Sequence, residues 1–376
     1  MKKVRILIAC LLLVCLCTCA LADESNGVWS YRIRDGKATL TAYEGAQIVS
    51  KIEFPSEVEG APVTVIGDGS MLFLWLNEVG QTTELVFPET VEEIAGGFFT
   101  LGYFEEVTIP AAVKKIGDYA FNVSTILGVN FEGAPETFGE FAFSEAYLLQ
   151  QVEIPEGTVS LGVSCFEMCD SLQTVTLPAS LTDMGKKCFS GCVSLEEVNF
   201  ASGSQLTSIP MACFLSTAIE KISIPEGVTT IGTNAFYNCT KLKEVYLPQS
   251  LEAISTDAFS NCTGNPTFNV VEGTYAHEWA EEKGFKVKVV PAPIVLPAGA
   301  EDAYRELYPG CEGEDVLAAR MKMYELGFFA NKPTQTDYTS AMKDYVKKFE
   351  RAYGLEEDGL LSPHDQAILF YVSADE

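Results

Sequence analysis

The sequence predicts an α+β multidomain chain, in which a β-rich solenoid of about ten coils precedes a small three-helix domain. A strand-like triplet that alternates inward, outward and inward recurs, from the second copy on, at steps of 22 to 24 residues. After about residue 308 the spacing of apolar residues becomes that of helices. A unit of this length cannot cover its own apolar face, so successive units are expected to stack.

The first 22 residues have the composition of an export signal. Lys2, Lys3 and Arg5 precede an apolar run, and residues 20–22 place small side chains where a signal is cleaved. The run is shorter than the roughly 20 residues that span a bilayer. We therefore expect an extracellular or cell-surface protein with no integral membrane span in the mature chain. A lipoprotein, with its lipidated cysteine within residues 16–19, is the less favoured alternative.

The charge of the chain narrows the choice of partners. Residues 1–22 contain three basic and no acidic side chains, so the remaining chain carries a formal net charge of −30. Such a surface disfavours nucleic acid and anionic membranes. The sequence contains no Asp-x-Asp-x-Asp-Gly loop, and we expect neither a metal site nor a cofactor.

The cysteines follow the repeat rather than the spacing of a zinc site. Cys169 and Cys192 are 23 residues apart, as are Cys165 and Cys188. We interpret them as buried free thiols that act as small apolar side chains. Disulfides between neighbouring coils remain an alternative, because stacked strands are close enough and export permits oxidation. The cysteines outside the predicted signal are Cys165, Cys169, Cys188, Cys192, Cys213, Cys239, Cys262 and Cys311.

A β-hairpin is predicted at residues 28–43. Two alternating runs flank Asp35-Gly36, a pair that favours a tight turn between strands. A solenoid has an open first edge that needs protection, and this hairpin lies where a cap is required. We place the cap at residues 23–50.

The repeats and a terminal cap are placed at residues 51–290. One long loop interrupts them at residues 71–84 and carries Phe73 and Trp75, and a short helix at residues 276–283 closes the array. The ten predicted strands contain the triplets 52–54, 85–87, 107–109, 129–131, 152–154, 175–177, 198–200, 222–224, 245–247 and 268–270.

Two further columns recur with the strands. One pairs an aliphatic residue with glycine, as in Ile116-Gly117 and Ile231-Gly232. The other is aromatic, and we expect it to be structural, with each ring buried between coils. The aromatic column consists of Phe99, Phe121, Phe143, Phe166, Phe189, Phe214, Phe236 and Phe259.

Residues 175–198 and 223–245 contain the same sequence motif, in which a strand is followed by proline, Ile/Met-Gly, Phe, Cys and Leu. This motif resembles the BspA-type leucine-rich repeat. The resemblance covers roughly residues 28–290. It implies an extracellular, curved solenoid from a family associated with adhesion to host matrix proteins or to other cells. It supplies no catalytic residues.

In leucine-rich repeats the strands line one broad concave surface. The central residue of each triplet is then expected to face solvent, where it is available to a protein or glycan ligand. The candidate ligand-binding residues on this concave face are Thr108, Asn130, Glu153, Thr176, Asn199, Ser223, Tyr246 and Asn269.

A Pro/Ala/Gly-rich linker is predicted at residues 291–307, and three helices after it. The first two are expected at residues 314–326 and 341–353, each followed by glycine. Ser362 and Pro363 predict the start of the third.

The motif order of residues 308–376 resembles a peptidoglycan-binding-like domain. Two glutamines of that pattern are replaced, one by Arg320 or Met321 and the other by Glu350. The resemblance implies peptidoglycan as an additional partner, with Tyr353, Asp358 and Gly359 as candidate wall-binding residues. The matching residues are Gly313, Asp315, Val316, Leu326, Gly327, Phe349, Gly354, Leu355, Asp358 and Gly359.

No arrangement of residues indicates catalysis. His277 and His364 lie in different predicted domains, and Ser340 and Lys343 lack the companion motifs of penicillin-binding enzymes. Two functions remain open. The protein is either a secreted or cell-surface adhesin that its C-terminal domain holds noncovalently to the cell wall, or a noncatalytic scaffold whose helices dock a protein partner while the solenoid acts as a spacer.

Overall fold

The computed structural model describes residues 24–44, 50–69, 82–292, 304–355 and 357–372. The expected export signal, the loop residues Phe73 and Trp75, and most of the predicted linker lie outside these residues. The chain divides into two units. Unit 1 comprises residues 1–245 and 252–266, and unit 2 comprises residues 246–251 and 267–376.

The protein is a β-solenoid of about ten coils with four described helices near its C-terminus, which confirms the predicted fold class. One strand falls on each predicted triplet, and we call these the triplet strands. They are β4 (Lys51–Glu53), β7 (Glu84–Val86), β9 (Tyr103–Ile109), β11 (Thr125–Phe131), β13 (Gln151–Glu153), β15 (Thr174–Leu177), β17 (Glu197–Phe200), β19 (Lys221–Ser223), β21 (Glu244–Tyr246) and β23 (Thr267–Val271).

A second series of strands ends at the apolar residue that precedes the glycine or its counterpart. Most of these strands have two residues, and we call them the short strands. They are β6 (Ala61–Ile66), β8 (Glu93–Ile94), β10 (Lys115–Ile116), β12 (Thr137–Phe138), β14 (Ser160–Leu161), β16 (Asp183–Met184), β18 (Ser208–Ile209), β20 (Thr230–Ile231) and β22 (Ala253–Ile254).

The N-terminal hairpin extends the short-strand sheet. It consists of β2 (Trp29–Arg34) and β3 (Lys37–Tyr43), with β1 (Glu24–Ser25) on its outer side. Strand β3 pairs in parallel with β6, and the sheet continues through β8 to β16. The remaining strand of this region, β5 (Glu57–Val58), pairs antiparallel with β6. The hairpin therefore occupies the edge that the first short strand would otherwise expose.

The phenylalanine column forms a continuous stack inside unit 1. Centroids of successive rings from Phe99 to Phe259 are 5.0 to 5.6 Å apart, and their planes differ by 4° to 17°. All eight rings are buried, none more than 3% exposed. Burial of each ring stabilises the fold by about 1.5–3 kcal/mol.

Beside the stack, the main chain forms a third ladder of hydrogen bonds, which we call the turn ladder. In the coil of Phe121, the N–H groups of Tyr119, Phe121 and Val123 donate to carbonyls of the next coil over 2.8, 2.7 and 2.8 Å. Equivalent bonds join every pair of neighbouring coils from Phe99 to Ser260.

The turn ladder requires an unusual backbone. Apart from Asp257, the residues two positions before and two positions after each column phenylalanine adopt left-handed conformations, with φ between 54° and 63° where they are not glycine. This alternation lets every second N–H point toward the next coil. The residues are Leu101, Tyr119, Val123, Phe141, Glu145, Ser164, Met168, Lys187, Ala212, Ser216, Asn234, Asn238 and Asn261.

Both series of strands are interrupted, in contrast to the turn ladder. The triplet strands of unit 1 from β4 to β17 form separate sheets, β4-β7, β9-β11 and β13-β15-β17. The short-strand sheet stops at β16 and resumes at β18. The turn ladder and the phenylalanine stack therefore maintain the connection between coils where the sheets do not.

The eight cysteines outside the predicted signal are free thiols. Four of them occupy one repeat position, and each Sγ–H donates to the carbonyl of the column phenylalanine in the preceding coil over 3.1 to 3.2 Å. Burial raises the pKa of the Cys192 thiol well above its ordinary value, and that of Cys262 to about 12. These thiols are weak donors within the core and not reactive groups.

Unit 2 begins with the end of the array. Helix α1 (Tyr275–Glu282) packs on β23, with the rings of Trp279 and Phe268 5.7 Å apart. Gly284 ends this helix at φ +72°, and β24 (Lys286–Val290) then pairs in parallel with β23.

Three further helices follow, α2 (Glu314–Glu325), α3 (Ser340–Tyr353) and α4 (Pro363–Tyr371). A left-handed Gly354 ends α3, and α4 begins with a capping box between Ser362 and Asp365. Their common core contains Leu307, Cys311, Val316, Ala319, Met323, Tyr338, Met342, Val346, Phe349, Leu361, Ile368, Leu369 and Val372.

Candidate binding surface

Seven of the eight candidate ligand-binding residues have side chains that reach solvent. The exposed ones are Asn130, Glu153, Asn199 and Ser223, and the partly buried ones are Thr108, Thr176 and Tyr246.

Asn269 differs from the prediction, because it is only 2% exposed. The prediction assumed that one side of each triplet strand faces water. On β23 three successive residues, Phe268 to Val270, are buried, so both sides of this strand are covered. The Asn269 carbonyl accepts a hydrogen bond from the Leu247 N–H over 3.1 Å. Asn269 is therefore part of the interior of unit 2 and not of a ligand-facing surface.

A depression of about 450 Å³ lies where the sheet is interrupted between β11 and β13. Asn130, Glu153 and Thr176, three of the predicted residues, lie together in its lining. The complete lining consists of Val129, Asn130, Phe131, Gln151, Val152, Glu153, Pro155, Thr174 and Thr176.

The interruption exposes residues that are buried in most other coils. The inward positions of a triplet, such as Val107 and Ile109 on β9 or Val175 and Leu177 on β15, are fully buried. Val129 and Phe131 occupy these positions on β11 and are only partly buried. The depression therefore combines an aromatic ring and an aliphatic side chain with amide, hydroxyl and carboxylate groups.

Main-chain groups also border the depression. Both β11 and β13 lie within the described residues, and no backbone hydrogen bond joins the two strands there. By contrast, β13 and β15 pair over three residues in register. The facing edges of β11 and β13 thus keep donors and acceptors that the rest of the sheet uses internally.

The triplet strands around the depression carry only negatively charged side chains. The triplet strands from β7 to β17 contain five glutamates and neither lysine nor arginine within their described bounds. Glu153 is the glutamate that lines the depression. A cationic ligand would meet no repelling side chain on these strands.

A larger depression, of about 640 Å³, lies over the first short strands. Most of its charged side chains pair with each other. Arg32 contacts Asp68 at 3.0 Å, and Lys115 contacts Glu93 at 2.8 Å. It therefore offers little uncompensated charge to a ligand.

The candidate wall-binding residues are not equally accessible. Asp358 is exposed, and Tyr353 is partly buried with its ring 5.0 Å from that of Phe349. Gly359 is buried, and its N–H donates to the Glu350 carboxylate while its carbonyl accepts from the Tyr338 hydroxyl. Gly359 therefore holds the helical core together, and its backbone is not available to a ligand.

The part of the chain that the structure describes contains no cluster of His, Cys, Asp and Glu suited to a metal ion. Nor does any of its helices have the length and apolarity needed to cross a membrane. The Nδ1 atom of His277 accepts a hydrogen bond from the Gly273 N–H over 3.1 Å, which places this histidine in the cap of α1.

A comparison with protein families matches six copies of the BspA type leucine rich repeat region, over residues 76–196 and 136–266. Together the two matches span just over half of the chain. The chain belongs to the BspA type leucine-rich repeat family. The expected resemblance of the repeats is thereby confirmed, and this family suggests a recognition or adhesin-like role for this BspA type protein.

A comparison with solved structures finds other leucine-rich repeat proteins that are similar to this BspA type protein. A leucine rich cell surface protein from Faecalibacterium prausnitzii is 21% identical, over 69% of this chain and 97% of that chain, with a TM-score of 0.33. A leucine-rich repeat protein from Bacteroides ovatus is 19% identical, over 73% and 77%, with a TM-score of 0.34. One from Eubacterium ventriosum is 17% identical, over 72% and 74%, with a TM-score of 0.36. A search of curated proteins found no match.

The sequence predicts Asn130, Glu153 and Thr176 as surface residues, but it does not predict the depression that groups them. The triplet of β11 reads like that of any other coil, so its partial exposure has no signal in the apolar pattern. A weak sequence signal lies just before this triplet. Leu127 occupies a position where the next two coils carry Gln150 and Gln173, and its side chain is 46% exposed.

Proposed function

We propose that the protein is an exported, noncatalytic recognition protein of the cell surface, and that its triplet strands bind a protein or glycan ligand. We propose further that its C-terminal helices hold it noncovalently to the cell wall. The family supports the first part. The second rests on the motif order of residues 308–376 and on the helical core that those residues form.

The depression between β11 and β13 is the observation that carries the proposal. Its volume lies within the range of small-ligand and side-chain sites. It offers a carboxylate, two amides and two hydroxyls beside a partly exposed ring, at an interruption that stacking of regular coils does not require. This combination suits specific recognition better than general solvation, because polar groups that orient a ligand lie next to apolar surface that can be desolvated.

The recognition proposal can be tested with a glycan array and immobilised extracellular-matrix proteins, using the full chain and its Glu153→Lys variant. Charge reversal in the depression is expected to lower binding to any captured ligand by at least about tenfold. Glu252→Lys is the matched control, since Glu252 is also exposed but precedes the short strand β22. Retained thermal stability of both variants would show that folding is intact. Equal binding by wild type and Glu153→Lys would contradict the proposal.

Wall attachment is tested separately by cosedimentation with purified peptidoglycan. The full chain is expected to enter the pellet, and a chain that ends at residue 292 is expected to remain in the supernatant. If the full chain also stays in the supernatant, wall attachment fails. The helices would then be better explained as a docking module for a protein partner, with the solenoid as a spacer.

A further inference from the structure

The gap between β11 and β13 presents unpaired main-chain carbonyl and N–H groups to a ligand. On β13 the Ile154 N–H donates to Thr176 over 3.0 Å and the Gln150 carbonyl accepts from Gln173 over 2.7 Å, so the even-numbered residues pair with β15. Because main-chain groups alternate in direction along a parallel strand, those of Gln151 and Glu153 point toward β11.

The opposite edge of the gap alternates in the same way. The Glu132 N–H donates to the Ile109 carbonyl over 3.0 Å, so in the second half of β11, from residue 128 on, the even-numbered residues pair with β9. The main-chain groups of Val129 and Phe131 therefore point toward β13. The carbonyl and the N–H group of each of these four residues, Val129, Phe131, Gln151 and Glu153, therefore point into the gap, without a partner on the facing strand.

The width of the gap selects what can enter. Some Cα atoms of β11 and β13 lie within 8 Å of each other. An additional strand would need about twice the usual spacing of 4.8 Å between neighbouring strands. A whole strand therefore does not fit, whereas a flat side chain does.

The chemistry of the lining selects a guanidinium group. The lining carries the Glu153 carboxylate and no basic side chain, so it favours a cation, and guanidinium is a planar cation whose five donors can reach the carboxylate and the carbonyls of the gap. The partly exposed Phe131 ring lines the same depression, and arginine stacks on aromatic faces. The five glutamates of the triplet strands from β7 to β17, with no basic residue among them, add a favourable field.

We propose that the gap between β11 and β13 binds an arginine side chain of a protein partner. This inference rests on the proposed recognition function and makes it more specific. The guanidinium lies between the two strand edges, donates to the Glu153 carboxylate and to the unpaired carbonyls, and covers the ring of Phe131. Val129 and Pro155 contact the aliphatic part of the side chain.

The test uses fluorescence polarisation of short labelled peptides with arginine at alternate positions, measured on the full chain. Matched peptides carry lysine or citrulline instead, and citrulline keeps the shape of arginine without its charge. The arginine peptide is expected to bind at least about tenfold more tightly than the citrulline peptide and several-fold more tightly than the lysine peptide.

Two variants locate the site. Glu153→Gln is expected to weaken binding of the arginine peptide by about tenfold. Glu197→Gln removes the same charge from β17, outside the depression, and is expected to change binding less than about twofold. Equal losses in the two variants would show a general charge effect and overturn the inference.

Absence of binding, or equal binding of the arginine and citrulline peptides, would also overturn it. A glycan captured on the array and lost in Glu153→Lys, together with no binding of the arginine peptide, would leave the recognition function standing and remove only the arginine site. If neither a ligand on the array nor the arginine peptide binds, both the recognition function and the arginine site are contradicted.

Discussion

Glu350 is a fully buried carboxylate on α3, at a position where the peptidoglycan-binding-like pattern has glutamine. Its two carboxylate oxygens lie 3.0 and 2.9 Å from the Gly359 nitrogen, which donates to them. Burial raises the pKa of Glu350 to about 8, and the negative charges of Asp358 and Asp365 act in the same direction. The side chain is therefore mainly protonated at neutral pH and has no charge, like the side chain of glutamine.

Replacing Glu350 with glutamine is expected to change how the free energy of unfolding depends on pH. Between the ordinary pKa of a glutamate, about 4.5, and the folded-state value of about 8, the unfolded chain is ionised while the folded chain keeps its proton. Wild-type stability therefore falls as pH rises through this window and is constant above it. Glu350→Gln should remove the fall, so that its advantage over wild type grows from about pH 5 to about pH 8.

Urea unfolding of the full chain across this pH range, followed by a signal from the helical segment, measures the effect. Glu306→Gln is the control, because Glu306 is exposed in the same segment. Parallel pH profiles for wild type and Glu350→Gln would contradict the interpretation.

The turn that carries the phenylalanine column is the element that defines each coil. Its strands and its buried ring could be predicted, because apolar alternation and a recurring Phe are visible in the sequence. The left-handed backbone conformation of this turn could not be predicted. Left-handed conformations usually indicate glycine or asparagine, yet here they include Val123, Met168 and Lys187. The hydrogen bonds of the turn ladder are made by the main chain, so they impose no composition that a sequence would show.

Val123 provides the clearest test of this strain. A β-branched residue in a left-handed conformation is a conformational outlier, whereas Asn238 and Asn261 fill the same repeat position. Val123→Asn is therefore expected to raise the free energy of unfolding by about 0.5–1 kcal/mol, as measured by denaturant unfolding. Val159→Asn makes the same change at an exposed residue outside the left-handed columns and should not stabilise. A loss of stability in Val123→Asn would show that packing of the valine outweighs the strain.

At the scale of the whole molecule, the ten strands, the four described helices and the ends of those helices were predictable from local patterns. The burial of Asn269 and the depression at β11 could not be predicted in this way, because both depend on whether other parts of the chain cover a strand. The burial of Gly359 depends in the same way on Glu350 and Tyr338, which are distant in sequence. Local periodicity specifies which residues can face inward, and tertiary neighbours decide whether the other side faces water.

Hydrogen exchange should reveal which ladder connects the coils. The amides of Phe121 and Val123 bond to the next coil over 2.7 and 2.8 Å, and we expect strong protection there. The amides of Gln151 and Glu153, at the interface between the same two coils, should exchange with little protection in the free protein. The amide of Ile154, which bonds to β15, is the internal control. Equal protection of Gln151 and Ile154 would mean that the strands pair after all.

The turn ladder has a consequence for how such a chain can lengthen. Each coil in it presents the same main-chain donors to one neighbour and the same acceptors to the other, whatever its side chains. A duplicated coil would find both of its hydrogen-bonding faces matched at once, and its phenylalanine would extend the stack. The number of coils can thus change in evolution by whole-repeat duplication or loss, while the positions between the inward residues of each strand diverge independently.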